Sequence, residues 1–243
     1  MKYNKEADPF SAAKAEETLK NLEKSPINIR CMAENGFMEP LLNHLIDAGS
    51  EEVRMEMVSY LGGIVLEDEM KTYVAERAST TLIQMIRREA LRALVQISAH
   101  PPNCNILMAA GIMQTVVEEI LPRRINSEPL DSPKEATTIL ANILESDEEG
   151  SSEMKVSETG HTIVSHYFIY SIAQLIKSSI PEEASANLVR ILLSLAKLPY
   201  AMATVVSVVM EIGVMQTFVE FLNSELEALA VVAAKLLIAL SAR

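Results

Sequence analysis

The sequence predicts an all-α solenoid of stacked helical repeats, and three observations carry that expectation. Two stretches, Ala110-Gly-Ile-Met-Gln-Thr-Val-Val-Glu118 and Ile212-Gly-Val-Met-Gln-Thr-Phe-Val-Glu220, share Gly, Met, Gln, Thr, Val and Glu in one register, and a looser copy runs Asn35-Gly-Phe-Met-Glu-Pro-Leu-Leu42. Aliphatics after each Gly fall on a three-and-four spacing, as in Ile112, Val116, Val117 and Ile120, the stripe that an amphipathic helix buries. Composition agrees. With 49% hydrophobic residues but only eight Gly and five Phe in 243 residues, the chain is rich in Leu, Ala, Ile, Met and Glu, which favour helix over strand and supply a sizeable core.

Taken in order, Asp8-Pro9 has the chemistry of a helix start, an acidic cap with Pro in the first turn, for a thinly apolar helix over Phe10 to Leu22. Ser25-Pro26 interrupts it, and Ile29 to Glu34 leads to Gly36. Glycine suits the turn ahead of the next helix because it alone takes a left-handed backbone at little cost. That helix is expected to end near Ile46, with Asp47-Ala-Gly-Ser50 as the turn out. Glu51 and Glu52 favour a new N-terminus, and Val53, Met57, Val58, Leu61, Ile64 and Val65 read as one long apolar helix. Within it, Gly62-Gly63 predicts a close approach to a neighbouring helix or a kink. Glu67-Asp-Glu69 closes it, and Tyr73 to Ile86 reads as another copy of the post-glycine helix with Arg77 in the glycine's place.

Gly36 and Arg77 are 41 residues apart, but Arg77 and Gly111 only 34, and no polar turn separates Ile86 from Arg87. Either two helices are fused there or about seven residues are absent between them; the second is expected, since a fused helix loses the reversal that stacking needs. Ala90 to Ile97 forms a buried helix, and Pro101-Pro102 ends it before Asn105 to Leu121 gives the best copy of the repeat. Ser132-Pro-Lys-Glu135 is a capping box for a helix over Ala136 to Leu144. Ser146 to Gly160 has almost no large apolar side chain and is expected to be a mobile loop. His166 to Ile176 is a divergent copy, Leu188 to Leu198 is apolar almost all round, Pro199 ends it, and Ser224-Glu-Leu-Glu227 caps a final helix to Leu240.

Each unit thus reads as a short opening helix, a longer apolar helix and the post-glycine helix, in about 41 residues, the length of armadillo or HEAT repeats; the Gly before the third helix favours armadillo. The expected organisation is one domain over 1–243, with repeats at 10–50, 51–86, 87–131, 132–179, 180–223 and a partial one at 224–243. No unit buries its apolar face alone, so neighbours are expected to stack into a right-handed superhelix whose third helices line a concave surface. Register places Asn43, Gln84, Glu118 and Glu220 at one equivalent position, with Gln174 beside them, as a candidate partner-binding face. Ordinary solvated polar positions are the competing reading.

Other chemistries lack support. A net charge of −12 repels phosphate backbones and anionic lipid, which disfavours a nucleic-acid partner. Arg87-Arg88 and Arg123-Arg124 read as solvated helix ends. No apolar run approaches the roughly 20 residues that span a bilayer, and Met1-Lys-Tyr-Asn-Lys-Glu is too polar for a secretory signal, so a cytoplasmic location is expected. Cys31 and Cys104 lie far apart with no CxxC, as expected of reduced thiols, and make zinc binding an unsupported reading. His161 and His166 would diverge on a helix and have no HExxH partner. His100 with Cys104 lacks an orienting group and an oxyanion donor. Asp147-Glu-Glu-Gly150 lacks the spacing of a calcium loop, and there is no Walker or dinucleotide glycine pattern. The thirteen methionines read as core filler. No catalytic, metal or cofactor residues are expected.

Five strings carry a family resemblance: Ala33-Glu-Asn-Gly-Phe-Met-Glu-Pro-Leu-Leu42, Met57-Val-Ser-Tyr-Leu-Gly-Gly-Ile-Val-Leu66, Leu107-Met-Ala-Ala-Gly-Ile112, Glu135-Ala-Thr-Thr-Ile-Leu-Ala-Asn-Ile-Leu-Glu-Ser146 and Arg190-Ile-Leu-Leu-Ser-Leu195. They resemble the carboxy-terminal armadillo region of plant U-box ubiquitin ligases, particularly the senescence-associated subgroup, and the resemblance covers most of the chain. It implies a separate amino-terminal U-box that recruits the ubiquitin-conjugating enzyme and an armadillo array that binds a ligase substrate or regulator. Peripheral attachment to the plasma membrane is the alternative role. No U-box is visible, so the chain is expected to be a fragment; the ubiquitin-transferase activity of the full-length ligase is not carried onto it, and the resemblance transfers no catalytic residue. Armadillo proteins that carry nuclear cargo use a Trp and Asn ladder, whereas this sequence has no Trp.

Overall fold

The computed structural model describes residues 25–47, 49–64, 66–85, 88–121, 133–146, 160–178 and 180–242, and among them there are thirteen α-helices and no β-strand. The expected helix over Phe10 to Leu22, the junction between Ile86 and Arg87, the Arg123-Arg124 pair, the capping Ser132 and the 147–159 stretch of the acidic loop lie outside the described residues. Contacts divide the chain into two compact units, residues 1–100 and 101–243, with the boundary inside the 87–131 span.

The first unit holds α1 (Pro26–Glu34), α2 (Met38–Asp47), α3 (Glu51–Gly63), α4 (Asp68–Met85) and α5 (Arg88–Ser98). Gly36 takes the expected left-handed backbone, φ 77°, between α1 and α2. Helix α2 buries Met38, Leu42 and Leu45, one stripe at helical spacing, against α3 and α4. Helix α3 does not run on through Ile64. It stops at Gly63, and Ile64 is extended (φ −84°, ψ 153°). Two successive glycines propagate a helix poorly, and a side chain on α5 takes over the freed backbone: Gln96 Nε2 donates to the Gly62 carbonyl at 3.2 Å, and the Leu66 N–H donates to Gln96 Oε1 at 3.4 Å.

The acidic residues expected to close α3 instead open α4, where Asp68 and Glu69 sit at the positive end of the helix dipole. Helix α4 then passes unbroken through Arg77, burying Val74, Ala75, Ala78, Leu82 and Ile83. The residue that replaced glycine is the reason: without a left-handed position, the opening helix and the post-glycine helix run together.

The second unit holds α6 (Pro101–Ala109), α7 (Ile112–Ile120), α8 (Pro133–Ser146), α9 (His166–Lys177), α10 (Glu182–Lys197), α11 (Pro199–Ile212), α12 (Met215–Phe221) and α13 (Glu227–Ser241). Pro101-Pro102 begin α6, where the missing N–H groups cost nothing. The best copy of the repeat, Asn105 to Leu121, is two helices parted at Gly111, φ 87°, and α7 buries the expected Ile112, Val116, Val117 and Ile120. Gly213, φ 68°, caps α11 in the same way; its N–H and that of Val214 both donate to the Val209 carbonyl, at 3.1 and 3.3 Å. Ser165 caps α9, its Oγ accepting from the Phe168 N–H at 3.3 Å. Helix α10 is buried on every side over 184–189 and 191–196, because α8 packs along one flank and α13 along another. The all-round apolarity of Leu188 to Leu198 is the sequence signature of that central place.

Candidate partner-binding face

The five residues expected to meet a partner lie on helices that follow, or replace, the glycine turn. In the first unit, Asn43 on α2 is half-buried, and its Oδ1 accepts from Arg77 Nη2 on α4 at 3.0 Å. Gln84, near the end of α4, is exposed and lines an open cavity of about 390 Å³ with Gly49, Glu51, Arg54 and Met85. The Arg54 Nε in that wall is buried without a hydrogen-bond partner.

In the second unit, Glu118, Gln174 and Glu220 are all exposed. Glu118 accepts from Gln114 Nε2 at 3.1 Å, and Glu220 accepts from Gln216 Nε2 at 3.3 Å. The repeated Met-Gln-Thr-x-Val-Glu string therefore builds the same surface device twice, a glutamine one turn below a carboxylate. Gln174 donates to the Tyr170 hydroxyl at 3.0 Å. Each of these three side chains thus bonds a neighbour on its own helix. The most extensive helix packing in this unit instead joins α8, α10 and α13.

On α8 and α10, sequence reasoning missed a polar centre. Arg190 donates through Nε and Nη2 to the two oxygens of Glu145 at 2.9 and 2.6 Å, through Nη2 to Asn142 Oδ1 at 2.9 Å, and through Nη1 to Asn187 Oδ1 at 2.9 Å. Asn187, 8% exposed, donates in turn to Thr138 Oγ1 at 2.8 Å and Thr137 Oγ1 at 3.3 Å. Lys134 and Glu183 pair across the same helices at 3.7 Å. One signal could have found it: Asn142 and Arg190 each stand seven residues after the Glu of a Pro-x-Glu-Ala string, Pro133 to Ala136 and Pro181 to Ala184. The fork of Arg190 is held by acceptors on both edges, so this seam is a neutral clasp between two helices.

The remaining candidates have structural roles. His161 precedes α9 and stacks on Tyr167, with ring centroids 4.7 Å apart, while His166 opens α9, stacks on Tyr170 and approaches Glu211 to 2.9 Å through Nε2. His100 Nδ1 lies 3.4 Å from Asp68 Oδ2. The Asp68 carboxyl is held below its ordinary range by the Lys71 ammonium that bonds it and, to a lesser degree, by His100. Cys104 is buried, its Sγ 3.9 Å from the Asn142 carbonyl, and desolvation pushes its thiol up, away from the thiolate form that nucleophilic chemistry uses. Among the described residues, no group of three or more His, Cys, Asp or Glu is placed to hold a metal ion.

No family model matches the chain. It is 46% identical to U-box domain-containing protein 42 of Arabidopsis thaliana over 247 aligned residues, covering 99% of this chain and 24% of that protein. U-box domain-containing protein 43 of the same plant is 30% identical over 227, covering 90% and 28%. The chain thus spans about a quarter of the length of these relatives. Among solved structures, a designed armadillo repeat protein in complex with the peptide (KR)4 superposes with a TM-score of 0.66 at 20% identity, over 97% of this chain and 95% of that one. A second designed armadillo repeat protein gives 0.68 at 20% identity over 96% and 95%. At these identities the likeness establishes the fold, which is the armadillo-repeat solenoid.

Proposed function

We propose that this armadillo-repeat region, related to plant U-box domain-containing proteins, is the non-catalytic part of a ubiquitin ligase that binds its substrate or a regulator. The observation that carries the reading is the recurring Gln114–Glu118 and Gln216–Glu220 pair, exposed at equivalent places on α7 and α12. Such carboxylates suit a partner segment that is neutral to basic, each contact contributing roughly 0.5–1.5 kcal/mol. A designed protein of the same fold is in complex with a Lys-Arg peptide, which supports the sign of the charge preference.

The test removes this region from the full-length U-box protein. Self-ubiquitination with a ubiquitin-conjugating enzyme should persist, while ubiquitination of the substrate should stop. Loss of both, or of neither, would refute a recruiting role. The alternative, peripheral attachment to the plasma membrane, is disfavoured by the net charge of −12, which repels anionic lipid. Flotation with liposomes of anionic phospholipid separates the two: the chain should stay with the soluble fraction.

A further inference from the structure

Helix α13 is apolar on both its inward and its outward side. Leu229, Val232, Ala233 and Leu236 are buried where it packs on α10 and α12. On the outward side Val231 is 45% and Ile238 66% exposed, and Ala228 is exposed beside them. Helix α10 is covered along two flanks, by α8 and by α13, whereas α13 has α10 along one flank and, among the described residues, no such helix along the other. Aliphatic surface left in water costs free energy that a covering helix would recover.

Two charges decide what fits. Glu227 and Lys235 are the only charged side chains of α13; both are exposed, and among the described residues neither has a hydrogen-bond or ion-pair partner. Eight residues apart, they stand about 12 Å from each other along the axis, too far to pair within one helix. Glu227, Val231 and Lys235 form a single i±4 ridge, with one charge four residues before the valine and the opposite charge four residues after it. Ala228, Ala230 and Ala234 border the ridge, and such small side chains leave grooves that let two helix axes approach to about 8 Å. When two of these ridges lie side by side in opposite directions, a two-fold axis at Val231 sets Glu227 of each helix beside Lys235 of the other. The face is therefore its own electrostatic complement. It also adds no net charge at the point of contact, in a chain whose total of −12 makes copies repel elsewhere.

We infer that the outward face of α13 docks the same face of a second copy of this chain, in a two-fold dimer centred on Val231. Water would leave Val231 and Ala228 of both copies, and the two Glu227–Lys235 pairs would fix register and direction. One helix face is smaller than the about 800 Å² per partner of a stable interface, so the dimer is weak and concentration-dependent. Neither the ligase reading nor the Glu118 and Glu220 face enters into it.

Sedimentation velocity of the full chain over a concentration series should show a reversible equilibrium between one copy and two. Lys235→Glu and Glu227→Lys each set like charges against one another in both pairs, and each should weaken the dimer by at least about tenfold. The double variant reverses both pairs and should return to within about threefold of the unaltered chain. An equimolar mixture of the two single variants should dimerise as well, since each positive ridge then meets a negative one. Both sites are exposed, so circular dichroism should show the fold intact. Val231→Glu, which leaves the pairs alone but puts two carboxylates at the axis, should abolish the dimer. A chain that stays single up to about 1 mM overturns the inference. So does a dimer indifferent to Lys235→Glu and Val231→Glu, or a double variant or mixture no tighter than the single variants. Finally, Val231→Cys in the full-length U-box protein should be labelled by maleimide at dilutions where the dimer has dissociated. Protection there would mean that a further helix of the same polypeptide covers the face, and overturns the inference equally.

Discussion

Single residues set the turns and the thiol chemistry. At Gly111 and Gly213 an added Cβ would meet no atom within 4 Å, so the demand for glycine is purely one of backbone handedness. Gly213→Ala should therefore cost about 1–2 kcal/mol in denaturant unfolding, the penalty of a left-handed alanine, and Gly213→Asn less. Equal stability of Ala and Gly there would contradict it. The two cysteines differ by environment: Cys31 is exposed and Cys104 buried. A maleimide should label Cys31 quickly and Cys104 only on unfolding. Burial raises the Cys104 pKa in the folded state, so the thiol form is stabilised. That contribution is fully present below the unfolded thiol value of about 8.5 and is lost as pH rises through the higher folded value. Cys104→Ala should flatten the alkaline fall in stability; an unchanged pH profile would show that the thiol does not cause it.

At the level of helices, local spacing decides some elements and distant partners decide others. The stripe of α7, the left-handed glycines and the all-round burial of α10 were legible, since each depends on local spacing alone. The end of α3 was legible only in part: Gly62-Gly63 marked a kink or a close approach, but the exit is completed by Gln96, thirty residues past Leu66. Arg77 in the glycine's place is visible in the sequence, but the fusion of two helices into α4 shows only in the structure. The polar clasp escaped for a third reason: Glu145 and Arg190 lie 45 residues apart, and only the stacking of α8 on α10 joins them. A double-mutant cycle of Arg190→Ala and Glu145→Ala should give a coupling of about 0.5–2 kcal/mol, discounted because both side chains are partly exposed. Independent, additive effects would mean that the clasp is ornamental.

Across the whole molecule, the acidic charge and the armadillo fold together favour recruitment of a protein. The chain carries 33 Asp and Glu against 21 Lys and Arg, and two of these carboxylates, Glu118 and Glu220, are exposed and each bonded by a glutamine one turn away. The acidic net charge was legible in the sequence; which helices meet was not, because equivalence in register does not decide it. The most direct measurement is a calorimetric titration of the recruited partner with the chain and with its Glu118→Lys, Glu220→Lys double variant, alongside thermal unfolding of both. Reversal of two exposed charges should weaken binding by about tenfold, some 1.4 kcal/mol, while the melting temperature stays put. Unchanged affinity together with an unchanged melting temperature would contradict the recruiting role of this face and place the partner on another surface.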